Sequence, residues 1–309
     1  MPAELADLER ELRRFRRVIV AFSGGADSAF LAWVANSTLG RDRVLCVTAI
    51  SASLAQEEES DARALAKEWN LRWKGVPTYE LENPRYVANQ TDRCAYCKSS
   101  LMDALIPISK EEDATVVLGV NVNDLGDYRP GQKVAEQAGA EFPLVAAGFE
   151  KQDIRDWSRR LDLRTWDKPA AACLASRLPY GTEVTIGRLS AVAKAESGLR
   201  RLGFSELRVR HHGDIARVEV GVDEIQRVIE LRDEVLSIVH DAGYLFVTLD
   251  LDGFRSGSLN HGIDRPGAVS GTQREQVGYE EPREIVPVDQ SRCAHRRGGA
   301  RPGCVQQQR

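Results

Sequence analysis

Apolar residues along this 309-residue chain fall into two alternating kinds of stretch, short unbroken runs and longer segments at helical spacing. Val18-Ile19-Val20-Ala21-Phe22 is unbroken, the runs at 44–50 and 115–119 are nearly so, and 71–76 reads as a further short strand. Such runs mark strands covered on both faces, as in a parallel sheet. Helical stretches lie between and around them, at 27–39, 56–69, 101–110 and 153–161, with a polar amphipathic helix at about 3–16. Strands alternating with helices predict an α/β fold, a doubly wound parallel sheet over residues 1–166.

A second pattern begins at a Pro- and Gly-punctuated junction over 167–181. A helix at 186–202, a hairpin at 207–211 and 216–220 around His-Gly-Asp, a helix at 224–240 and a strand at 244–251 predict a smaller α+β domain over 167–260. Residues 261–309 are polar and rich in Gly, Arg and Gln, without periodicity, which predicts a disordered tail.

Within this second pattern some charges fall where apolar residues belong. Glu196 lies inside the stripe of Leu189, Val192, Leu199 and Leu202, and a carboxylate on that inward face requires a partner. In the hairpin, alternation points Leu207 and Val209 one way and Arg208 and Arg210 the other. On the return strand Arg217 and Glu219 oppose Val218 and Val220. A face of alternating charge is either a solvated sheet surface or a recognition surface, and arginine's planar fork suits carboxylate and phosphate.

Composition narrows the field. Hydrophobic residues make up 42% and charged residues 28%, a globular balance. No apolar run approaches the roughly 18 residues of a membrane span, and the first twenty residues do not read as a secretory signal, so a cytoplasmic address and no membrane partner are expected. The 42 basic and 46 acidic residues give a net charge of −4. No region carries the strong positive excess of a protein that grips a nucleic-acid backbone, so no nucleic-acid partner is expected. The six cysteines, Cys46, Cys94, Cys97, Cys173, Cys293 and Cys304, are read for metal or catalysis rather than as a disulfide framework.

The strongest local motif follows the first strand. Ser23, Gly24, Gly25, Ala26, Asp27 and Ser28 join it to a helix, an arrangement that presents free N–H groups and a positive helix end to phosphate. No Gly-Lys-Ser/Thr follows, so this is not a Walker A loop. The polar stretch Asn121 to Gly131, with Asn121 and Asp127, sits after another strand, where ligands of open α/β sheets bind. A Cys-x-x-C pair, Cys94 and Cys97, reads by itself as a zinc half-site or as structural thiols.

Taken together, Ser23 to Ser28, Arg93-Cys94-Ala95-Tyr96-Cys97-Lys98, Asn121 to Gly131 and Lys168 to Gly181 closely resemble LarE, a family within the PP-loop ATP pyrophosphatases (adenine nucleotide alpha hydrolase-like fold). The resemblance spans roughly residues 5–255, and Asn123 departs from it where the pattern has Asp. It implies an ATP-dependent sulfur transferase of nickel-pincer cofactor biosynthesis. ATP, with Mg²⁺, adenylates a ring carboxylate of pyridinium-3,5-biscarboxylic acid mononucleotide, and sulfur then displaces AMP to give a thiocarboxylate. By the same resemblance Ser23, Gly24, Gly25, Asp27, Ser28, Asn121 and Asp127 hold ATP, and Lys98, Ser176, Arg177, Glu196, Arg208, Arg210 and Glu219 hold the substrate.

Cys173 is then the sulfur-transfer residue. Some members of that family give up this sulfur and keep dehydroalanine; others hold a [4Fe-4S] cluster on three cysteines, here Cys94, Cys97 and Cys173. The resemblance also implies a homo-oligomer, a hexamer. Two other readings stay open on the sequence, a tRNA-thiolating PP-loop enzyme and a non-catalytic nucleotide-binding module.

Overall fold

The structure is a computed structural model and describes residues 3–126, 130–169 and 172–255. The expected tail at 261–309, with Cys293 and Cys304, and the candidate Asp127 lie outside the described residues. Among the described residues, seven strands form two sheets. β1 (Val18–Ala21), β2 (Val44–Ile50), β3 (Arg72–Pro77) and β4 (Thr115–Leu118) make a parallel sheet in the order β3-β2-β1-β4. Val18 of β1 sits in register with Val44 on one side and Thr115 on the other. β5 (Leu207–His212), β6 (Ile215–Val220) and β7 (Phe246–Leu249) make a smaller sheet, with β5 and β6 antiparallel and β6 and β7 parallel.

Eleven helices are described: α1 (Leu5–Leu12), α2 (Ala26–Leu39), α3 (Gln56–Glu68), α4 (Pro84–Val87), α5 (Arg93–Glu112), α6 (Pro130–Gln137), α7 (Pro143–Ala146), α8 (Lys151–Arg160), α9 (Ile186–Arg201), α10 (Ile225–Glu230) and α11 (Arg232–Asp241). None is long and apolar enough to cross a membrane. β1, β2 and β4 are covered on both faces, as their apolar runs require, while the end strand β3 is only half-buried. One layer joins Val18, Val20, Phe22 and Cys46 to α1 and α2, and the other joins Ile19, Leu45 and Val47 to α5. α2 is apolar nearly all round because it is enclosed, with Phe30, Leu31 and Val34 fully buried.

Two differences from the sequence pattern bear on the site. α5 starts at Arg93 rather than near 101, so Cys94 and Cys97 are helical residues one turn apart. The span expected as one helix at 224–240 is two, α10 and α11, separated by Leu231 at φ −96° and ψ 28°.

Candidate active site

Backbone constraint shapes the phosphate-type loop first. Gly24 takes a left-handed φ of +72°, and a Cβ there would meet the Ala62 Cα of α3 at 3.1 Å. The Ser28 side chain closes the loop back on itself: its Oγ accepts from the Ser23 N–H at 3.2 Å and donates to the Gly25 carbonyl at 3.2 Å. The Ser23 and Ser28 hydroxyls lie 3.0 Å apart, and Asp27 stands in the first turn of α2. Gly119, just past β4, permits the approach of that strand end; a Cβ on it would sit 2.8 Å from the Ser28 nitrogen.

Asn121 follows two residues later and is fully buried. It exchanges hydrogen bonds with Asp124, each residue's backbone N–H donating to the other's side chain at 3.2 Å. The Asn121 Nδ2 finds no acceptor among the described residues, a buried donor of the kind a ligand satisfies. Asn123 accepts from the Lys151 N–H at 2.7 Å, so the residue that departs from the family pattern ties this loop to the start of α8. Lys98 sits one turn past Cys94 on α5, and both pack against Gly131 at the start of α6.

The turn that carries Cys173 is pinned from several sides. Residues 174–177 form a 3₁₀ turn with Cys173 as its N-cap. The Leu174 N–H donates to the Ser53 carbonyl at 2.9 Å, and Ser53 lies in the loop after β2. The turn therefore sits at the carboxyl edge of the parallel sheet, the same edge as the Ser23–Ser28 loop. Just upstream, Lys168 Nζ donates to the Gly24 carbonyl at 3.1 Å and to Asp61 Oδ2 at 2.6 Å, and pairs with Glu58 at 3.0 Å. Burial works to raise the Asp61 carboxyl, but hydrogen bonds from Lys168 and Arg164 outweigh it and hold the group below the usual carboxylate range.

On its other side the turn meets a charged and buried face. Arg177 grips Glu196 bidentately at 2.8 and 3.0 Å and donates to the carbonyls of Ala172 and Cys173 at 2.6 and 3.2 Å. Glu196, at 0% exposure, also accepts from Arg200 and from the Val209 N–H, each at 3.0 Å. Arg210 chelates Glu219 and donates to the Ser176 carbonyl at 2.9 Å, while Arg217 reaches Glu219 at 3.0 Å. The hairpin's charged face is thus packed against the Cys173 turn rather than solvated.

Arg208 is the exception on that face. It is 7% exposed and lies over the Phe254 ring at 4.7 Å, with no carboxylate at ion-pair distance among the described residues. Burial and the nearby charges of Arg177 and Arg210 push its guanidinium down to about 10. Glu219, its cross-strand neighbour, and Glu196 offset this only in part, so a buried cation without an ion pair is a site that an anion could complete.

Cys97 and Cys173 pack against one apolar cluster built on Tyr86, Leu174, Leu178 and Leu189, and Cys94 is exposed on the same helical turn as Cys97. Burial, then the charges of Cys173 and Glu80, push the Cys97 thiol up to about 12. Three thiols from two elements suit an iron–sulfur cluster by donor type. Among the described residues, however, no three His, Cys, Asp or Glu side chains are grouped so as to hold a metal ion.

With this geometry in place, comparison with known proteins decides the family. A sequence model described as NAD synthase matches residues 7–96, which span β1, the Ser23–Ser28 loop and α2 through β3. A protein of Lactiplantibacillus plantarum named pyridinium-3,5-bisthiocarboxylic acid mononucleotide synthase is 39% identical over 256 residues, 82% of this chain and 93% of that one. The chain belongs to the LarE family. An uncharacterised protein of Synechocystis is 41% identical over 84% of the chain and 98% of its own length, and one of Methanocaldococcus jannaschii is 25% identical over 80% and 94%. LarE proteins are PP-loop enzymes, and the parallel sheet with its loop after β1 is the PP-loop fold.

Of the residues expected at the LarE site, Ser176, Arg177, Glu196, Arg208, Arg210 and Glu219 come together around the Cys173 turn, and Ser23 to Ser28 with Asn121 come together at the sheet edge. Sequence reasoning did not single out Ser53, Tyr86 and Asn89 beneath the turn. Their signal is weak, since each is an ordinary polar residue beside a helix start.

Proposed function

We propose that this chain is an ATP-dependent sulfur transferase that converts the ring carboxylates of pyridinium-3,5-biscarboxylic acid mononucleotide to thiocarboxylates. One observation carries the reading: a single thiol-bearing turn is tied at one end to the phosphate-type loop, through Lys168 and Gly24, and at the other to the arginine face, through Arg177 and Arg210. ATP lies on Ser23, Gly24, Gly25, Asp27 and Ser28, with Asn121 completing its pocket; the family resemblance adds Asp127, which lies outside the described residues. Asp27, in the first turn of α2, is the carboxylate that would hold a phosphate-bound Mg²⁺.

Arg208, with Arg210 and Ser176, receives an anionic group of the substrate, and Lys98 faces charge on the adenylate. Arg177, Glu196 and Glu219 hold these groups in place. A substrate carboxylate oxygen attacks the α-phosphorus and pyrophosphate leaves. A sulfur nucleophile then attacks the acyl carbon and AMP leaves.

Cys94, Cys97 and Cys173 are the residues that would hold a [4Fe-4S] cluster, which when bound supplies iron-held sulfide. In the sacrificial alternative, the Cys173 sulfur displaces AMP to give a thioester. Loss of the Cα proton and rupture of the Cβ–S bond then release the thiocarboxylate and leave dehydroalanine. The LarE assignment extends the proposal to a cytoplasmic homo-oligomer, read by light scattering.

The test uses anaerobically purified protein, ATP and the pyridinium nucleotide. Cys173→Ala is expected to release pyrophosphate at close to the wild-type rate and to form no thiocarboxylate; thiocarboxylate from that variant overturns the role given to Cys173. Intact mass after turnover separates the two sulfur routes, since only the sacrificial one lightens the chain by hydrogen sulfide.

A further inference from the structure

Arg93 is a buried arginine that spends its hydrogen bonds on neutral groups. It is 5% exposed, and its Nη1 donates to Asn89 Oδ1 at 2.5 Å and to the Ala175 carbonyl at 2.8 Å. No carboxylate lies at ion-pair distance among the described residues. Burying a cation without a counter-ion is costly, and a neutral donor would cap the same two oxygens.

The two acceptors belong to the two halves of the thiol site. Arg93 opens α5 immediately before Cys94, and Ala175 lies two residues past Cys173 in the 3₁₀ turn. Asn89 extends the joint. Fully buried and held at a left-handed φ of 53°, it sends Nδ2 to the Pro179 and Thr182 carbonyls at 2.8 Å each, and its own carbonyl accepts from the Gly181 N–H at 3.0 Å. Alongside, Val184 donates to the Val87 carbonyl at 2.9 Å, and Tyr86 hydrogen-bonds Ser53, whose carbonyl holds Leu174.

We propose that Arg93, braced by Asn89, is a positioning residue that docks the Cys94–Cys97 turn of α5 onto the turn of Cys173, so that sulfur is presented to the activated substrate from one rigid wall. This deepens the sulfur-transfer reading and rests on it. The phosphate-type loop and Asn121 lie on other elements, so Arg93 bears chiefly on the second half-reaction.

The test compares wild type, Arg93→Met and Arg93→Lys by two measurements. Hydrogen exchange in the nucleotide-free protein is expected to quicken at least tenfold over residues 174–178 in Arg93→Met, with β1 and β2 unchanged. Pyrophosphate release should stay within about twofold of wild type while thiocarboxylate formation drops at least tenfold, and Arg93→Lys should recover transfer to within about threefold. If Arg93→Met does not fold, Arg93→Lys is read the same way, with changes of about threefold expected. Unchanged exchange over 174–178, or equal loss of both half-reactions, overturns the proposal. If wild type itself releases no pyrophosphate in response to the pyridinium nucleotide, the functional reading fails, and the exchange comparison alone decides the docking role of Arg93.

Discussion

Arg208 and Arg210 stand two positions apart on one strand and point to one face, yet only Arg210 is answered by a carboxylate. An arginine left over after Glu196 and Glu219 have taken their partners is the residue whose removal separates binding from stability. Arg208→Gln is expected to raise the KM for the pyridinium nucleotide at least tenfold and to leave the melting temperature level or slightly higher, because it relieves repulsion from Arg177 and Arg210. Its charge is lost at lower pH than an ordinary arginine's, since the guanidinium is pushed down to about 10. Sulfate, whose own charge is constant in that range, is therefore expected to bind below pH 10 and to weaken as the pH rises through it, as read by calorimetry. In the Arg208→Gln chain that dependence should vanish.

At the scale of elements, the approach of the β4 end to the start of α2 leaves no room for a methyl group at Gly119. The atoms it would meet, the Ser28 nitrogen and the Asp27 carbonyl carbon, are backbone and cannot swing aside. Overpacking of this kind costs about 1–3 kcal/mol. Gly119→Ala is expected to lower the melting temperature by several degrees and to weaken ATP binding at least tenfold, measured by thermal melts and by calorimetry. β1, β2 and β4 were legible because they are enclosed and so read as nearly unbroken apolar runs, whereas the end strand β3 carries Arg72 and Lys74 and is only half-buried. Helices α4, α6 and α7 were not legible, and all three begin at a proline, Pro84, Pro130 and Pro143. Proline punctuates a sequence as a break, although at the first helical position its missing N–H costs nothing. The first two turns of α5 were missed because their residues are mostly half-exposed, so the apolar spacing begins only near Leu101.

Across the whole molecule, the Arg177–Glu196 pair joins the thiol-bearing turn to the helix behind the small sheet. Arg177→Met would leave Glu196 buried with only Arg200 and the Val209 N–H. Breaking a buried pair from one side costs about 3 kcal/mol, and the urea midpoint should fall accordingly. That Glu196 needed a partner was legible from its place in an apolar stripe. Which arginine would answer it was not, because the pair closes over 19 residues and the Arg93–Ala175 contact over 82. Alternation marked the charged side of the hairpin, but only packing against the Cys173 turn makes it an interior.

Arg177 holds residue 173 by its carbonyl oxygen, together with that of Ala172, and takes no hold on the sulfur. Were the thiol itself consumed, these hydrogen bonds would persist and only the sulfur's apolar contacts would be lost: a spent molecule would stay folded. Exhausted copies would then accumulate beside working ones, and output would be set by how many chains had been made rather than by how long each survives.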